Sequence, residues 1–255
     1  MRRMRNPSSF TRRRHGLRAA ALITGGKDSL YALMKALETG LRVEWLVSMA
    51  PRRRDSWMFH WVNVHLTPLV SEAVGIPLVY RETSGVAERE VEDLKRVLSE
   101  LDVDALVSGA VASRYQKSRV DRVCSELGIR HVTPLWGMDQ EELLHEMLGS
   151  GMEVVFTAVA ALGLGPEWLG RRLDQEALEE LLDLSRRYGV NPCGEGGEYE
   201  TLVLDAPVYR RRIAIVRSRT VWLGDSGYLV VEEARLEGKN FISDPKSLHS
   251  DDYTQ

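Results

Sequence analysis

The amino-acid sequence predicts an α/β fold, a doubly wound parallel sheet followed by a smaller α+β C-terminal domain. Three observations carry that reading. Short apolar runs alternate with amphipathic stretches of roughly 10 to 16 residues through the first half of the chain, which is the pattern of βαβ units. Several of those runs stop at glycine, as buried strands stopped by tight turns do. Beyond Pro134 the alternation gives way to two helical stretches, a Gly-rich segment and several strand-like runs.

Taken in order, residues 18–24 (Arg-Ala-Ala-Ala-Leu-Ile-Thr) read as a buried strand halted by Gly25-Gly26. Residues 28–37 follow as a helix, because Leu30, Leu33, Met34 and Leu37 fall at i, i+3, i+4 and i+7 on one face. A second strand is expected over 41–49, a helix containing Pro68 over 61–74 and a third strand over 77–80. A charged amphipathic helix spans 86–101, a buried strand 105–108 ends at Gly109, a helix covers 112–127 and a short strand 131–133. Right-handed crossovers put the C-terminal ends of these strands on one sheet edge, so the loops after Thr24, Met49, Tyr80 and Ser108 should line one cleft. Farther on, helices are expected over 140–148 and 175–188, and strands over 154–159, 202–204, 212–216 and 228–232. The domain organisation this gives is a basic extension (1–17), a first domain (18–137), a second domain (138–237) and a polar tail (238–255).

Composition narrows the function classes. With 44% hydrophobic and 28% charged residues, the chain of 255 is near the globular average, which excludes disordered and fibrous readings. A chain this long removes roughly 70 to 75% of its unfolded surface from water, enough for one large or two modest cores. No run approaches the ~18 to 20 apolar residues of a membrane span. Two cysteines, Cys124 and Cys193, make neither a disulfide framework nor a C-x-x-C pair, so the chain reads as intracellular and cytoplasmic. Net charge is −3, yet the first 20 residues hold seven arginines and no acid, leaving −10 for the rest. That acidic remainder argues against nucleic acid as a general partner. The basic N-terminus fits a transit peptide, a nucleic-acid-contacting arm or a plain extension, and the last is favoured.

The sharpest local signal is Thr24-Gly25-Gly26-Lys27-Asp28-Ser29, set between an expected strand and an expected helix. Two glycines let the backbone turn and approach an anion closely, and the unpaired first-turn N–H groups of the helix point at that anion. Lys27 supplies a positive charge, and Thr24 and Ser29 supply hydroxyl donors. The plainer reading is a Gly-Gly turn with a capping Asp; the strand–loop–helix setting favours phosphate. A second segment, Gly194-Glu195-Gly196-Gly197-Glu198-Tyr199-Glu200-Thr201, packs three carboxylates and a phenol together and leads on to Asp205 and Pro207. By residue type alone an acidic hairpin is the slightly better reading, although mutual repulsion would be relieved by a cation such as Mg²⁺, ammonium or a quaternary ammonium stacked on Tyr199.

The hexapeptide resembles the S-G-G-x-D-S pyrophosphate loop of the ATP pyrophosphatase (PP-loop) superfamily, with Thr24 in place of the usual serine. The Gly-rich segment joins three others: Val107-Ser-Gly-Ala-Val-Ala-Ser113-x-Tyr115-Gln116-x-x-Arg119, Thr133-Pro134-Leu135-Trp136 and Glu167-Trp168-Leu-Gly-Arg171. Together they resemble the diphthine–ammonia ligase (diphthamide synthase) group of that superfamily, over about residues 18–216. One departure is Trp61-Val62 between His60 and Asn63, where the family usually has His-Thr-Pro-Asn.

The resemblance implies a Rossmann-like, adenine nucleotide alpha-hydrolase-like first domain and a substrate-binding second domain. It further implies ATP-dependent amidation of diphthine, the modified histidine of translation elongation factor two in archaea or the eukaryotic cytosol. The carboxylate would attack the α-phosphate, releasing pyrophosphate, and ammonium nitrogen would convert the acyl-adenylate to diphthamide and AMP. On this carry-over Thr24, Gly25, Gly26, Lys27 and Ser29 hold phosphates, with Lys27, Asp28 and Glu198 as the catalytic set and Asp28 reaching Mg²⁺. Ser48, Met49 and Gly109 flank the nucleoside. Tyr115, Gln116 and Arg119 contact adenylate or substrate, the plainer reading being a solvated helix face. Glu195, Glu198, Tyr199 and Glu200 form the opposite wall for trimethylammonium or ammonium. Cys193 as a persulfide is disfavoured without a second cysteine nearby. A homodimer is one arrangement open to the chain. A tRNA-modifying PP-loop enzyme and a non-catalytic nucleotide-binding regulatory domain are the alternatives; the first would want a basic surface, and the second would not need the Glu195–Glu200 cluster.

Overall fold

The computed structural model describes residues 16–52 and 62–239. Its first half alternates β1 (Arg18–Leu22), α1 (Lys27–Glu38), β2 (Arg42–Pro51), α2 (Thr67–Val74), β3 (Leu78–Thr83), α3 (Ala87–Glu100), β4 (Ala105–Val107), α4 (Arg114–Leu127) and β5 (Arg130–Val132). These strands form one parallel sheet in the order β3-β2-β1-β4-β5. The order reverses at β1, whose neighbours β2 and β4 lead away in opposite directions. That is the switch point where open α/β sheets leave a crevice at their strand C-termini.

Central β1 shows why the sheet is covered on both faces. Ala19, Ala20 and Ala21 have no exposed surface, and successive side chains alternate between faces. Ala20 joins the core made with α3 and α4, through Val91, Leu94, Val120 and Val123. Ala19 and Ala21 join the other core, made with α1, α2 and the second sheet.

That second sheet is antiparallel, in the order β7-β6-β9-β8, built from β6 (Glu153–Val159), β7 (Tyr199–Asp205), β8 (Arg211–Trp222) and β9 (Gly227–Gly238). Helices α5 (Gln140–Gly149) and α6 (Gln175–Tyr188) pack on it, each opened by an aspartate cap, Asp139 and Asp174. Phe156, Leu181 and Leu202 place its interior in the same cluster as Leu30 and Leu33 of α1, so the two sheets share a core.

The structure departs from expectation in four places, each with a physical reason. The helix expected over 61–74 begins only at Thr67, after one 3-10 turn (Val64–Leu66), because Pro68 belongs in a first turn where a missing N–H costs nothing. Trp61 lies outside the described residues. Strand β2 continues to Pro51, so Ser48 and Met49 pair with Tyr80 and Arg81 inside the sheet instead of ending a strand. Strands β8 and β9 extend beyond their apolar segments as an exposed ribbon in which Arg217 and Arg219 both bond to Glu232, a pairing invisible to hydropathy. Gly238 and Lys239, the first residues of the expected tail, are held: Gly238 pairs with Arg211, and Lys239 donates to the Ala206 carbonyl and pairs with Asp205.

Candidate active site

The loop 24–29 runs from β1 into α1 at the switch point. Gly25 has φ +87°, a left-handed conformation that glycine adopts without strain. The N-cap of α1 is Gly26, which brings no side chain to the helix end, so the Asp28 and Ser29 N–H groups have no intrahelical acceptor. Gly109, just after β4, crosses this turn so closely that a Cβ there would lie 2.7 Å from the Asp28 carbonyl and 2.8 Å from Ser29 N. Thr24 and Ser29 pair their hydroxyls at 3.3 Å, and Ser29 also donates to the Gly26 carbonyl. Thr24, Gly25, Gly26 and Ser29, expected to hold phosphates, and Gly109, expected beside the nucleoside, meet in one tight crossing of two loops.

The outer edge of β7 completes that crossing. Val203 N–H donates to the Gly25 carbonyl at 2.9 Å, and Lys27 N–H donates to Thr201 Oγ1 at 3.1 Å. Sequence reasoning assigned Thr201 no role, although it stood inside the quoted motif. The Lys27 ammonium also turns toward the second sheet. It is 2% exposed, donates to the Cys193 carbonyl at 2.7 Å and to Asp28 at 2.9 Å, and lies 4.9 Å from the centre of the Tyr199 ring. Burial is the strongest single influence and works against its charge, but the Asp28 carboxylate, acting with the neighbouring Tyr199 and Cys193 groups, outweighs it and holds the ammonium above the ordinary lysine value. Lys27 thus ties the loop to the Gly-rich segment, where sequence reasoning gave it an open charge.

The carboxylates of that segment diverge instead of converging. Glu195 Oε2 accepts from the N–H groups of Ala112 and Ser113 at 2.9 and 2.7 Å, reaching the loop that opens α4. Glu198 folds back into its own loop and accepts from Asn191 N and Gly196 N. Backbone donors relieve the repulsion that a cation was expected to relieve. Among the described residues no three His, Cys, Asp or Glu side chains are grouped to hold a metal ion. Mg²⁺ carried by phosphates needs only one or two protein carboxylates, and Asp28, 27% exposed at the loop, meets that requirement. Tyr199 is buried, with its hydroxyl donating to the Pro192 carbonyl, and Glu200 lies half-buried beside it in β7. Cys193 is buried, and burial pushes its thiol up to about 12 despite the pull of Lys27, which keeps it protonated at neutral pH.

Other expected residues sit farther from the crossing. Ser48 is fully buried and accepts from Thr67, and Met49 belongs to the core under α3 and α4. Being mid-strand, neither ends at the cleft. Tyr115 and Gln116 lie in the first turn of α4, which Ser113 caps through Gln116 N. Arg119 stacks over the Tyr115 ring at 3.6 Å and pairs with Glu88 of α3, so it faces its neighbouring helix. Trp168 packs edge-on against Phe156 in the second core, with Arg171 over its ring. Asn63, buried at φ 56°, accepts from Val231 N–H and donates to the Leu229 carbonyl, clasping β9. His60 falls outside the described residues.

The sequence is similar to known proteins over most of its length. The profile of the diphthamide synthase N-terminal domain matches residues 17–131, and that of the diphthamide synthase C-terminal domain matches 139–236. A rat (Rattus norvegicus) protein named diphthine–ammonia ligase is 38% identical, over 93% of this chain and 97% of its own length. The human (Homo sapiens) protein of that name is also 38% identical, over 80% of this chain and 85% of its own. A solved structure described as a predicted subunit of tRNA methyltransferase from Methanocaldococcus jannaschii shares 16% identity over 75% of this chain and 98% of its own, at a TM-score of 0.42. With both profiles matched in order across most of its length, the chain belongs to the diphthamide synthase family.

Proposed function

We propose that this chain is an ATP-dependent diphthine–ammonia ligase that amidates the diphthine of translation elongation factor two in the cytoplasm. The observation that carries the reading is the crossing of the 24–29 turn, Gly109 and the edge of β7 at the switch point. Glycine backbone, first-turn amides and paired hydroxyls converge there, as a polyphosphate requires.

A carboxylate is a poor acyl donor until its oxygen becomes part of a good leaving group. The diphthine carboxylate attacks the α-phosphate of ATP, pyrophosphate departs, and the acyl-adenylate then accepts ammonia. The protein's share is to hold reactants in line and balance charge on the departing pyrophosphate. Gly25, Gly26, Ser29 and Thr24 would cradle the phosphates, Asp28 would hold Mg²⁺ brought by them, and Lys27 acts from behind by fixing the turn against Cys193 and Tyr199. Glu195 and Glu198, each held by backbone amides, fix the Gly-rich segment that would face the trimethylammonium group or ammonium, with Glu200 following in β7, and Tyr115 and Gln116 lie at the start of α4. The −10 balance of residues 21–255 speaks against the tRNA-modifying alternative.

The reading is tested by pyrophosphate release from purified chain with ATP, Mg²⁺ and elongation factor two carrying diphthine. Release that needs the factor and is lost in Lys27→Met supports it. Release that ignores the factor, or that tRNA elicits instead, contradicts it.

A further inference from the structure

Directly behind Gly109 lies a hydrogen-bonded chain for which phosphate binding has no use. Ser108 Oγ is 2.8 Å from His131 Nε2, and His131 Nδ1 is 2.6 Å from Asp121 Oδ1. Asp121 Oδ2 in turn accepts from Lys117 Nζ at 2.7 Å, and that ammonium sits over the Trp136 ring. A carboxylate can only accept, so His131 Nδ1 carries the ring proton, and its Nε2 lone pair receives the Ser108 O–H. This is the order of hydroxyl, base and orienting carboxylate that activates a hydroxyl elsewhere in enzymes.

Three further features make the chain a conduit for protons. Ser108 and the His131 ring are buried, whereas the Asp121 side chain is 43% exposed, so one end is sheltered and the other opens to solvent. The groups facing the imidazole are Asp121 and Lys117 of α4 and Ser108, just after β4. Burial holds the imidazole below its ordinary value against the upward pull of Asp121, with Lys117 adding to the lowering, so it is a free base at neutral pH. Ser108 follows the last residue of β4 and immediately precedes Gly109, which lies against the 24–29 turn, so it stands at the C-terminal end of the strand, the edge where the crevice opens.

We propose that Ser108, His131 and Asp121 form a proton relay serving the amidation step; this rests on the ligase reading above. When ammonia adds to the activated carbonyl, its lone pair makes the C–N bond and the carbonyl π pair moves onto oxygen. The nitrogen is then cationic and must lose a proton before the adduct collapses. That N–H bond breaks with its pair left on nitrogen, and the proton passes to Ser108 Oγ as the Ser108 proton passes to His131 Nε2. The oxygen pair then re-forms the carbonyl, the bond to AMP breaks, and the imidazolium, paired with Asp121, later returns its proton to water. Ser108 is the member that meets the nitrogen; His131 and Asp121 are positioning residues acting through it.

The test compares wild type, His131→Gln and Asp121→Asn in two assays: ATP–pyrophosphate exchange with diphthine-bearing factor but no ammonium, and ammonium-dependent amidation across pH. The relay predicts that His131→Gln retains exchange while amidation kcat falls about 100-fold, the scale of a lost general base. It also predicts that the acid limb of the wild-type amidation profile flattens in that variant. Asp121→Asn, altered at a partly exposed carboxylate, keeps the fold, lowers kcat and moves the acid limb to lower pH, because the imidazole loses the group that raises its proton affinity. Equal loss of exchange and amidation with an unmoved pH profile, or full amidation by His131→Gln, overturns the relay. A wild type that performs neither reaction overturns the ligase reading and the relay's role with it.

Discussion

At the scale of single residues, Lys27 and Asp28 form an ion pair proposed to serve both stability and chemistry. Asp28→Asn leaves the buried Lys27 ammonium without its carboxylate, a loss of about 3 to 5 kcal/mol. Lys27→Met leaves Asp28 partly solvated and is cheaper. Thermal unfolding should therefore show the larger fall in Tm for Asp28→Asn, while both variants lose pyrophosphate release; the reverse order of Tm would contradict the pairing. Gly109→Ala puts a Cβ where the α1 backbone already lies, so ATP affinity should collapse in a titration while the elements away from the turn remain folded. Glu198→Gln changes a carboxylate bound by two loop amides, and steady-state kinetics should show a raised KM for one of ATP, ammonium or diphthine; equal loss for all three would contradict a wall role. The 24–29 turn was legible as a tight strand-to-helix turn because paired glycines there have few explanations. The directions of Lys27 and the glutamates were not, since their partners (Cys193 O, Ala112 N, Asn191 N) are backbone atoms far away or unmarked in sequence.

At the scale of elements, periodicity located every helix and strand that buries a continuous apolar face, and α6 is found at its expected bounds. It misjudged elements whose stability comes from other sources. The ribbon of β8 and β9 is held by cross-strand Arg–Glu pairs, and the start of α2 is set by Pro68. The junction between the sheets rests on Asn63, whose amide takes the place of a neighbouring strand for β9. Asn63→Ala strands a buried N–H and carbonyl of β9, which costs about 2 kcal/mol or more. The same loss should appear as faster amide exchange at Val231; unchanged exchange there would show that the clasp contributes nothing. The start of α4 carries a second such clasp, from Glu195. Its replacement by Gln costs about 1 kcal/mol through the lost charge at a helix start.

At the scale of the whole molecule, the two sheets share one core, and β7 lends its edge to the 24–29 turn of the other sheet. Sequence order kept Gly25 and Val203 far apart, so the likeness to a known family, not periodicity, joined the two motifs into one site. The fold explains their meeting: a switch point opens beside β1, and the Gly-rich segment closes over it. Among the described residues no helix is long and apolar enough to cross a membrane. Conversion of a carboxylate to a carboxamide at the expense of ATP, as proposed for this combined site, is open to direct measurement. The most direct measurement is the mass of the modified histidine peptide of elongation factor two, after incubation with the chain, ATP, Mg²⁺ and ¹⁵N-ammonium, with AMP quantified in the same sample. The account predicts exchange of one carboxyl OH for a labelled NH₂, matched mole for mole by AMP and absent with Lys27→Met. An unchanged peptide mass alongside ATP binding would contradict it.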